Sequence, residues 1–349
     1  MHSSHFSSSL SGQSVSTERL SSASPIRLKT SHPQFSTLRL SPDWPVHFWQ
    51  IILWVASKPP FFFVPLIESI RHVEGACSHP YPVCYAFSLM EFANLRLETR
   101  PPLAIVTLDR PKVLNALNSA TLGELEQAFA QLAADTSIRV ILLTGAGGRA
   151  FAAGADIREI AVLNAEKGES FSLRGQAIFR ALEAMGKPVI ACIPGFALGG
   201  GGELAMACTF RLAAEDARFG QPEVKLGLLC GYGGTARLPR LVGRGRALKL
   251  LLTGATIGAP EALRIGLVDE VVPAAELMQR AEALALEIAA NAPLAVAETM
   301  RAVNESLDLP LHEALLRESA RFGALCGSND KTEGTAAFLE KRAPAWTGH

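Results

Sequence analysis

The stretch Gly195–Cys208, GFALGGGGELAMAC, decides how the rest of the chain is read. Four consecutive glycines, Gly199 to Gly202, precede Glu203 and the apolar run Leu204, Ala205, Met206, Ala207. Glycine tolerates a tight turn and the apolar run continues as a helix, so the segment reads as a glycine turn entering a helix. The first N–H groups of a helix have no partner within it, which makes such a turn a candidate site for an anion or an oxyanion. Glu203 falls at the helix start. Two readings of it are open: a carboxylate that merely complements the helix dipole, or one facing a ligand held at the turn.

Outward from this turn the chain alternates strands and helices, which makes the fold class α/β. Short runs rich in β-formers predict strands at Leu95–Thr99, Ala104–Leu108, Val140–Thr144, Val189–Ile193 and Phe210–Ala213. Leu122, Leu125, Phe129 and Leu132 recur at three and four residues and predict a helix over Thr121–Asp135. After about residue 245 helices dominate: Ala275–Ala290, one opened by Pro293, and Leu311–Leu325 with Leu311, Leu315 and Phe322 on one face. We divide the chain into an extension at 1–89, a core at 90–245 and a helical section at 246–349 that acts as lid or oligomer contact.

The extension is Ser-rich to about residue 42, with Arg19, Arg27, Lys29 and Arg39 against Glu18 alone, the balance of an organelle transit peptide. The hydrophobic run from Phe48 to Ile67 is broken by Lys58, Pro59 and Pro60, which argues against a membrane-spanning helix. Met90 is followed at once by strand-like sequence. We therefore expect residues 1–89 to lie outside the working protein, with cytoplasmic location; the alternative is a transit peptide and the mitochondrial matrix.

Composition narrows the chemistry. Lysine plus arginine and aspartate plus glutamate both number 33, interspersed after residue 90, so no basic stripe exists to track nucleic acid. The six cysteines show no paired CxxC spacing, and neither a metal site nor a disulfide framework is indicated. Six of the eight histidines lie before residue 90. A histidine base is hard to supply in the core, which points to carboxylates as acid and base.

Three further segments combine glycine with useful groups: Asp109–Asn118 (DRPKVLNALN), Phe151–Glu159 (FAAGADIRE) and Phe219–Leu238 (FGQPEVKLGLLCGYGGTARL). Small residues at Ala152–Ile157 would let a ligand approach the backbone closely, or the segment is an ordinary surface loop. Glu223 follows Pro222 at a strand end, a position that suits a site residue and equally a solvated glutamate.

The four segments, in this order, resemble the crotonase family, also called the enoyl-CoA hydratase/isomerase family, from about Phe92 to Trp346. Leu250–Gly254 (LLTG), Glu261–Val272 (EALRIGLVDEVV) and Phe338–Arg342 (FLEKR) look like the family's as well. The resemblance implies a right-handed spiral of ββα turns followed by a helical trimerisation region, assembled as a homotrimer or a dimer of trimers. It implies an acyl-CoA thioester substrate, coenzyme A entering as part of that substrate with no metal or other cofactor, and a place in fatty-acid metabolism. Ala155 and Gly200 match the two N–H donors of the oxyanion hole. Lys112, Val113 and Leu114, with Ala153, Ala155, Asp156, Ile157 and Arg158, match positions that bind CoA; the family often has lysine where Arg158 stands. Glu203 and Glu223 match both glutamates of the hydratases, and Gly231 a backbone position beside the catalytic water.

Two departures stand out. Cys230–Gly231 replaces Pro-Gly, with Tyr232 next, which puts the shape of the acyl pocket in question. Thr209 replaces an aspartate that we read as structural. The expected reaction is hydration of a 2-enoyl-CoA, with Glu203 as base and Glu223 as acid. Double-bond isomerisation is the nearest rival and needs one proton-shuttling carboxylate; a binding or RNA-associated module would show lost glutamates or a lysine-rich helix.

Overall fold

The computed structural model describes residues 92–349 and, before them, only the backbone of three short strands, β1 (Ser16–Glu18), β2 (Ile26–Lys29) and β3 (Leu38–Leu40), paired antiparallel. What was expected of residues 1–89 otherwise lies outside the described residues. By contacts the chain divides into Met1–Phe87 and Ser88–His349, and the second unit carries everything below.

That unit holds two sheets. The larger has the order β13-β10-β8-β6-β5-β4, from β4 (Leu95–Arg100), β5 (Leu103–Leu108), β6 (Val140–Gly145), β8 (Val189–Ile193), β10 (Phe210–Ala214) and β13 (Glu270–Val272). Only β4 pairs antiparallel, in a hairpin with β5; the rest are parallel. Parallel strands are covered on both faces, which is why the central ones read as largely apolar runs, LAIVTL, VILLTG and VIACI. Period two then sorts each strand between two layers. Ile141, Leu143, Val189 and Ala191 face the main core, whereas Val140, Leu142, Ile190 and Cys192 face a second one.

The smaller sheet has the order β12-β11-β9-β7, from β7 (Ala150–Ala153), β9 (Phe196–Leu198), β11 (Arg218–Gly220) and β12 (Thr256–Gly258). The strand pairs β6/β7, β8/β9 and β10/β11 each send one strand to each sheet before the chain turns into a helix, which is the ββα spiral. Three of these strands, β7, β9 and β12, were absent from the expected set, and β11 answers to the strand end expected before Glu223. At three or four residues the missing ones are too short to show a period. The sheets also draw β12 and β13 from beyond residue 245.

The helices are α1 (Ser119–Ala134), α2 (Ile157–Ile160), α3 (Ala165–Ala184), α4 (Gly200–Ala207), α5 (Gly234–Val242), α6 (Arg244–Thr253), α7 (Ala259–Arg264), α8 (Leu277–Ala289), α9 (Pro293–Ser306), α10 (Leu311–Cys326) and α11 (Asn329–Glu340). The first starts two residues before the periodicity predicts because the Asn118 side chain caps it, accepting from the Thr121 N–H at 2.8 Å. In α8, Leu277, Ala281, Ala285 and Ala289 recur every fourth residue and close the second core over the larger sheet. Among the described residues no single helix is long and apolar enough to cross a membrane.

Three parallel strands of the smaller sheet position the site. β7 runs into Gly154–Arg158, β9 into the glycine turn, and β11 into Gln221–Glu223. Segments from well-separated parts of the sequence therefore leave the same edge of the sheet, with the glycine turn between Gly154–Arg158 and Gln221–Glu223.

Candidate active site

The glycines of the turn answer to close approaches. Gly199 has φ 48°, and a Cβ there would lie 2.7 Å from Glu223 Oε1. A Cβ on Gly201 would sit 2.0 Å from the Ala152 carbonyl oxygen, so α4 can pack on β7 only without a side chain at that position. The turn is thus bound on one side to the Ala152–Arg158 segment and on the other to Glu223.

Gly200 faces Ala155. The Ala155 amide nitrogen is 3.4 Å from where a Gly200 Cβ would stand, and neither N–H has an acceptor among the described residues. Two unspent donors side by side can meet one oxygen that gains negative charge. The Ala155 segment is held by a short parallel ladder: Ala153 N–H donates to the Leu114 carbonyl at 3.0 Å, Leu117 N–H to Gly154 at 2.8 Å, and Asp156 N–H to Leu117 at 2.9 Å. The Lys112–Leu114 and Ala153–Arg158 segments, expected to bind one ligand, are therefore neighbours. Lys112, Val113, Ile157 and Arg158 are exposed, open to a large polar ligand.

Sequence reading passed over what pins this ladder. Leu114 and Asn115 adopt left-handed backbone, φ 52° and 57°. The buried Asn115 side chain accepts from Arg110 N–H at 3.0 Å and donates to the carbonyls of Ala146 (3.0 Å) and Ala150 (2.8 Å). Asparagine tolerates this conformation better than most residues, and the signal was available in the NALN run. Arg110 reaches Asp156 across 3.5 Å, tying the two segments once more.

Glu203 is 1% exposed in the first turn of α4. Its Oε1 accepts from the N–H groups of Tyr232 at 2.8 Å and Gly234 at 2.7 Å. Burial pushes its carboxyl up to about 7; the Gly234 N–H pulls it down, repulsion from Glu223 pushes it up, and the Tyr232 N–H and Arg237 pull it down again. Glu223 is half-buried at the start of the turn Glu223–Leu226, and burial raises its carboxyl too, opposed by its own backbone N–H and by the Cys230 thiol.

Cys230 lies between the two carboxylates. Its Sγ is 3.3 Å from Gln221 Oε1 and 3.7 Å from Glu223 Oε2. A Cβ on Gly234 would touch both Cys230 Sγ, at 3.0 Å, and Glu203 Oε1, at 3.1 Å. Burial first, then the two carboxylates, push the thiol upward, which keeps it protonated and a poor nucleophile. The glutamates expected from sequence are thus brought to one place, with Gly231 beside them and open space where its Cβ would be. A cavity of about 470 Å³ opens at Glu223 and Cys230 with apolar walls that include Leu229, Leu248 and Leu251, room of the kind a hydrocarbon chain fills.

Tyr232 is buried, its ring turned into the core. Its ring fills the space over Gly175 of α3, where a Cβ would fall 2.2 Å from it, and packs on Phe171 and Phe179 with ring centroids 5.4 Å away. Its hydroxyl is buried with no hydrogen-bond partner in the described residues.

Known proteins resemble this chain in sequence and in fold. The sequence model of the family described as Enoyl-CoA hydratase/isomerase matches residues 98–349. The chain is 47% identical over 253 residues to the short-chain-enoyl-CoA hydratase of Clostridium acetobutylicum, covering 72% of this chain and 97% of that protein. It is 46% identical over the same length to the crotonyl-CoA hydratase of Syntrophomonas wolfei, with the same coverage. The crystal structure of an enoyl-CoA hydratase from Bacillus anthracis superposes with a TM-score of 0.71 at 40% identity, covering 73% of this chain and all of that one. Family model, relatives and fold agree: the chain belongs to the crotonase, or enoyl-CoA hydratase/isomerase, family.

Proposed function

We propose that the chain catalyses the reversible addition of water to a 2-enoyl-CoA, giving a 3-hydroxyacyl-CoA. The observation that carries this reading is the convergence of two carboxyls with raised pKa, Glu203 and Glu223, beside two N–H groups without acceptors. Attack of water at C3 pushes negative charge onto the thioester oxygen. Donors aimed at that oxygen from Ala155 and Gly200 stabilise the developing enolate, each by about 2.7–4 kcal/mol.

The glutamates share one water. Glu203 takes a proton from it while the remaining hydroxide bonds to C3; Glu223 gives a proton to C2. A proton then returns from Glu203 to Glu223, completing the addition of H and OH across the double bond. A base works best with a pKa near the operating pH, and Glu203 at about 7 meets that condition. Its Oε1 is occupied by the two backbone donors, which leaves Oε2 for the water. In the same reading Lys112–Leu114 and Ala153–Arg158 bind the CoA portion, and Gly231 N–H helps to hold the water.

Isomerisation needs a single shuttling carboxylate, and the presence of two in one site favours hydration. The test is loss of the conjugated thioester absorbance of crotonyl-CoA on adding purified protein. Turnover of a 3-enoyl-CoA with no hydration at any 2-enoyl chain length would replace the assignment with isomerase.

Two proposals concern the rest of the chain. A chain beginning at Met90 keeps hydration activity, because the site is built wholly from later residues; an inactive but folded product would contradict this. The exposed Leu311, Leu315 and Phe322 of α10 leave an apolar face that suits burial between subunits. Trimers or hexamers are expected by light scattering, and a stable monomer at micromolar concentration would count against them.

A further inference from the structure

The loop that holds Glu203 is itself held by α3. Ser172 Oγ donates to the Gly231 carbonyl at 2.5 Å. Gln176 Nε2, one turn later on the same face, donates to that carbonyl and to Ser172 Oγ, both at 3.0 Å. The N–H of the same peptide unit is the Tyr232 N–H, which donates to Glu203 Oε1 at 2.8 Å. We propose that Ser172, backed by Gln176, is a positioning residue for the general base: it fixes the Gly231–Tyr232 peptide so that its N–H stays aimed at Glu203.

The physical case runs through one rigid plane. A peptide unit is planar, so anchoring the carbonyl oxygen sets the direction of the N–H on the opposite side. Without an anchor this plane would be free to swing, since Gly231 has no side chain and nothing within 4 Å of where one would start. On the other side of the plane the Tyr232 ring is already gripped by Gly175, Phe171 and Phe179. Gln176 occupies a lone pair of Ser172 and thereby leaves the serine hydrogen for the carbonyl. The hydrogen bonds then run in one direction, from Gln176 through Ser172 and the peptide to the carboxylate, each polarising the next. Gln176 is exposed and Ser172 half-buried, so water competes more at Gln176 and Ser172 carries the larger share.

The other side chains that bear on Glu203 stand on different elements. Glu223 comes from the turn after β11, the Cys230 thiol from the loop before α5, and Arg237 from α5, where Glu183 of α3 binds it at 2.5 Å and 2.8 Å. Replacing Ser172 touches none of these. A change in the proton affinity of Glu203 would therefore report on the backbone donors of the 231–234 loop, the Tyr232 N–H on the anchored peptide and the Gly234 N–H beyond it.

This inference rests on Glu203 being the base, and the experiment separates the two. The pH dependence of kcat and KM for crotonyl-CoA hydration is measured for wild type, Ser172→Ala, Ser172→Ala with Gln176→Ala, and Ser172→Thr. An infrared titration of the Glu203 carboxyl band, identified by its loss in Glu203→Gln, is run alongside. With the N–H less well aimed the charged form loses support, so the acid limb and the band midpoint should move up by roughly half a pH unit. At pH 7 kcat should fall about 2–10-fold. KM should stay as it is, and Ser172→Thr, which keeps the hydroxyl, should restore both. An unmoved band and limb in a folded Ser172→Ala protein would overturn the positioning role, as would a loss of activity that tracks Tm without any pH shift. A wild type that hydrates no 2-enoyl-CoA would overturn the hydratase reading, and the band titration would still decide the role of Ser172.

Discussion

The two turns that carry the glutamates are built from opposite materials. Glu203 stands at the end of four glycines, 1% exposed, with β7, α5 and the 230–234 loop packed against it and two backbone N–H groups on one oxygen. Glu223 opens a short turn followed by exposed apolar residues, Val224, Leu226, Leu228 and Leu229, with the Cys230 thiol as its side-chain partner. The contrast teaches a division of labour. The deep carboxylate is fixed in place by two backbone donors, whereas the shallow one is held by a single, weaker thiol donor.

The largest effect that would sharpen this comparison is on catalysis. Glutamine in place of either glutamate keeps size and hydrogen bonding but removes proton transfer, so kcat should fall about 10²–10⁴-fold while CoA-ester affinity survives. Calorimetric binding of a saturated acyl-CoA beside steady-state rates checks both halves. A single variant with near wild-type kcat would break the symmetry of roles.

The second effect is on packing. Gly201→Ala forces a Cβ to 2.0 Å from a backbone carbonyl in the deep turn, and should cost about 1–3 kcal/mol in chemical denaturation. Gly231→Ala, chemically identical, meets nothing within 4 Å and should stay within about 0.5 kcal/mol of wild type. Equal losses at the two positions would show that the deep turn is no tighter than the shallow loop.

The third effect is on stability against pH. The folded Glu203 carboxyl titrates at about 7, above its ordinary 4.5, so the folded state binds the extra proton between these values. Stability from that proton is complete below about 4.5 and is lost as pH rises through 7. Glu203→Gln escapes the loss, and should be more stable than wild type by about 1–3 kcal/mol at pH 8 with no gain at pH 4. The Tm difference at the two pH values measures it, and a gain that does not change with pH would contradict the assigned shift.

Much of this was legible in the chain and some was not, for identifiable reasons. The five strands expected from β-former runs all exist: four are buried strands that leave largely apolar sequence, and β4, the mostly exposed antiparallel edge, shows alternation instead. Strands such as Ala150–Ala153 and Phe196–Leu198 were missed because three or four residues carry no period, yet these short strands aim the site. The glycine turn showed where a helix begins and where donors are free, but not whether Glu203 points inward, since that depends on the 230–234 loop arriving from elsewhere in the chain. Asn115, Ser172 and Gln176 act through backbone carbonyls. Such partners leave no spacing rule in sequence, and only the fold brings them into view.

The most direct test of the shared-water account is hydration of crotonyl-CoA by wild type, Glu203→Gln, Glu223→Gln and the double variant. If both carboxylates act on one water, the double replacement should cost far less than the product of the single losses, because the first already disables the unit. Losses that multiply would mean that the two glutamates act independently, and would contradict the central claim.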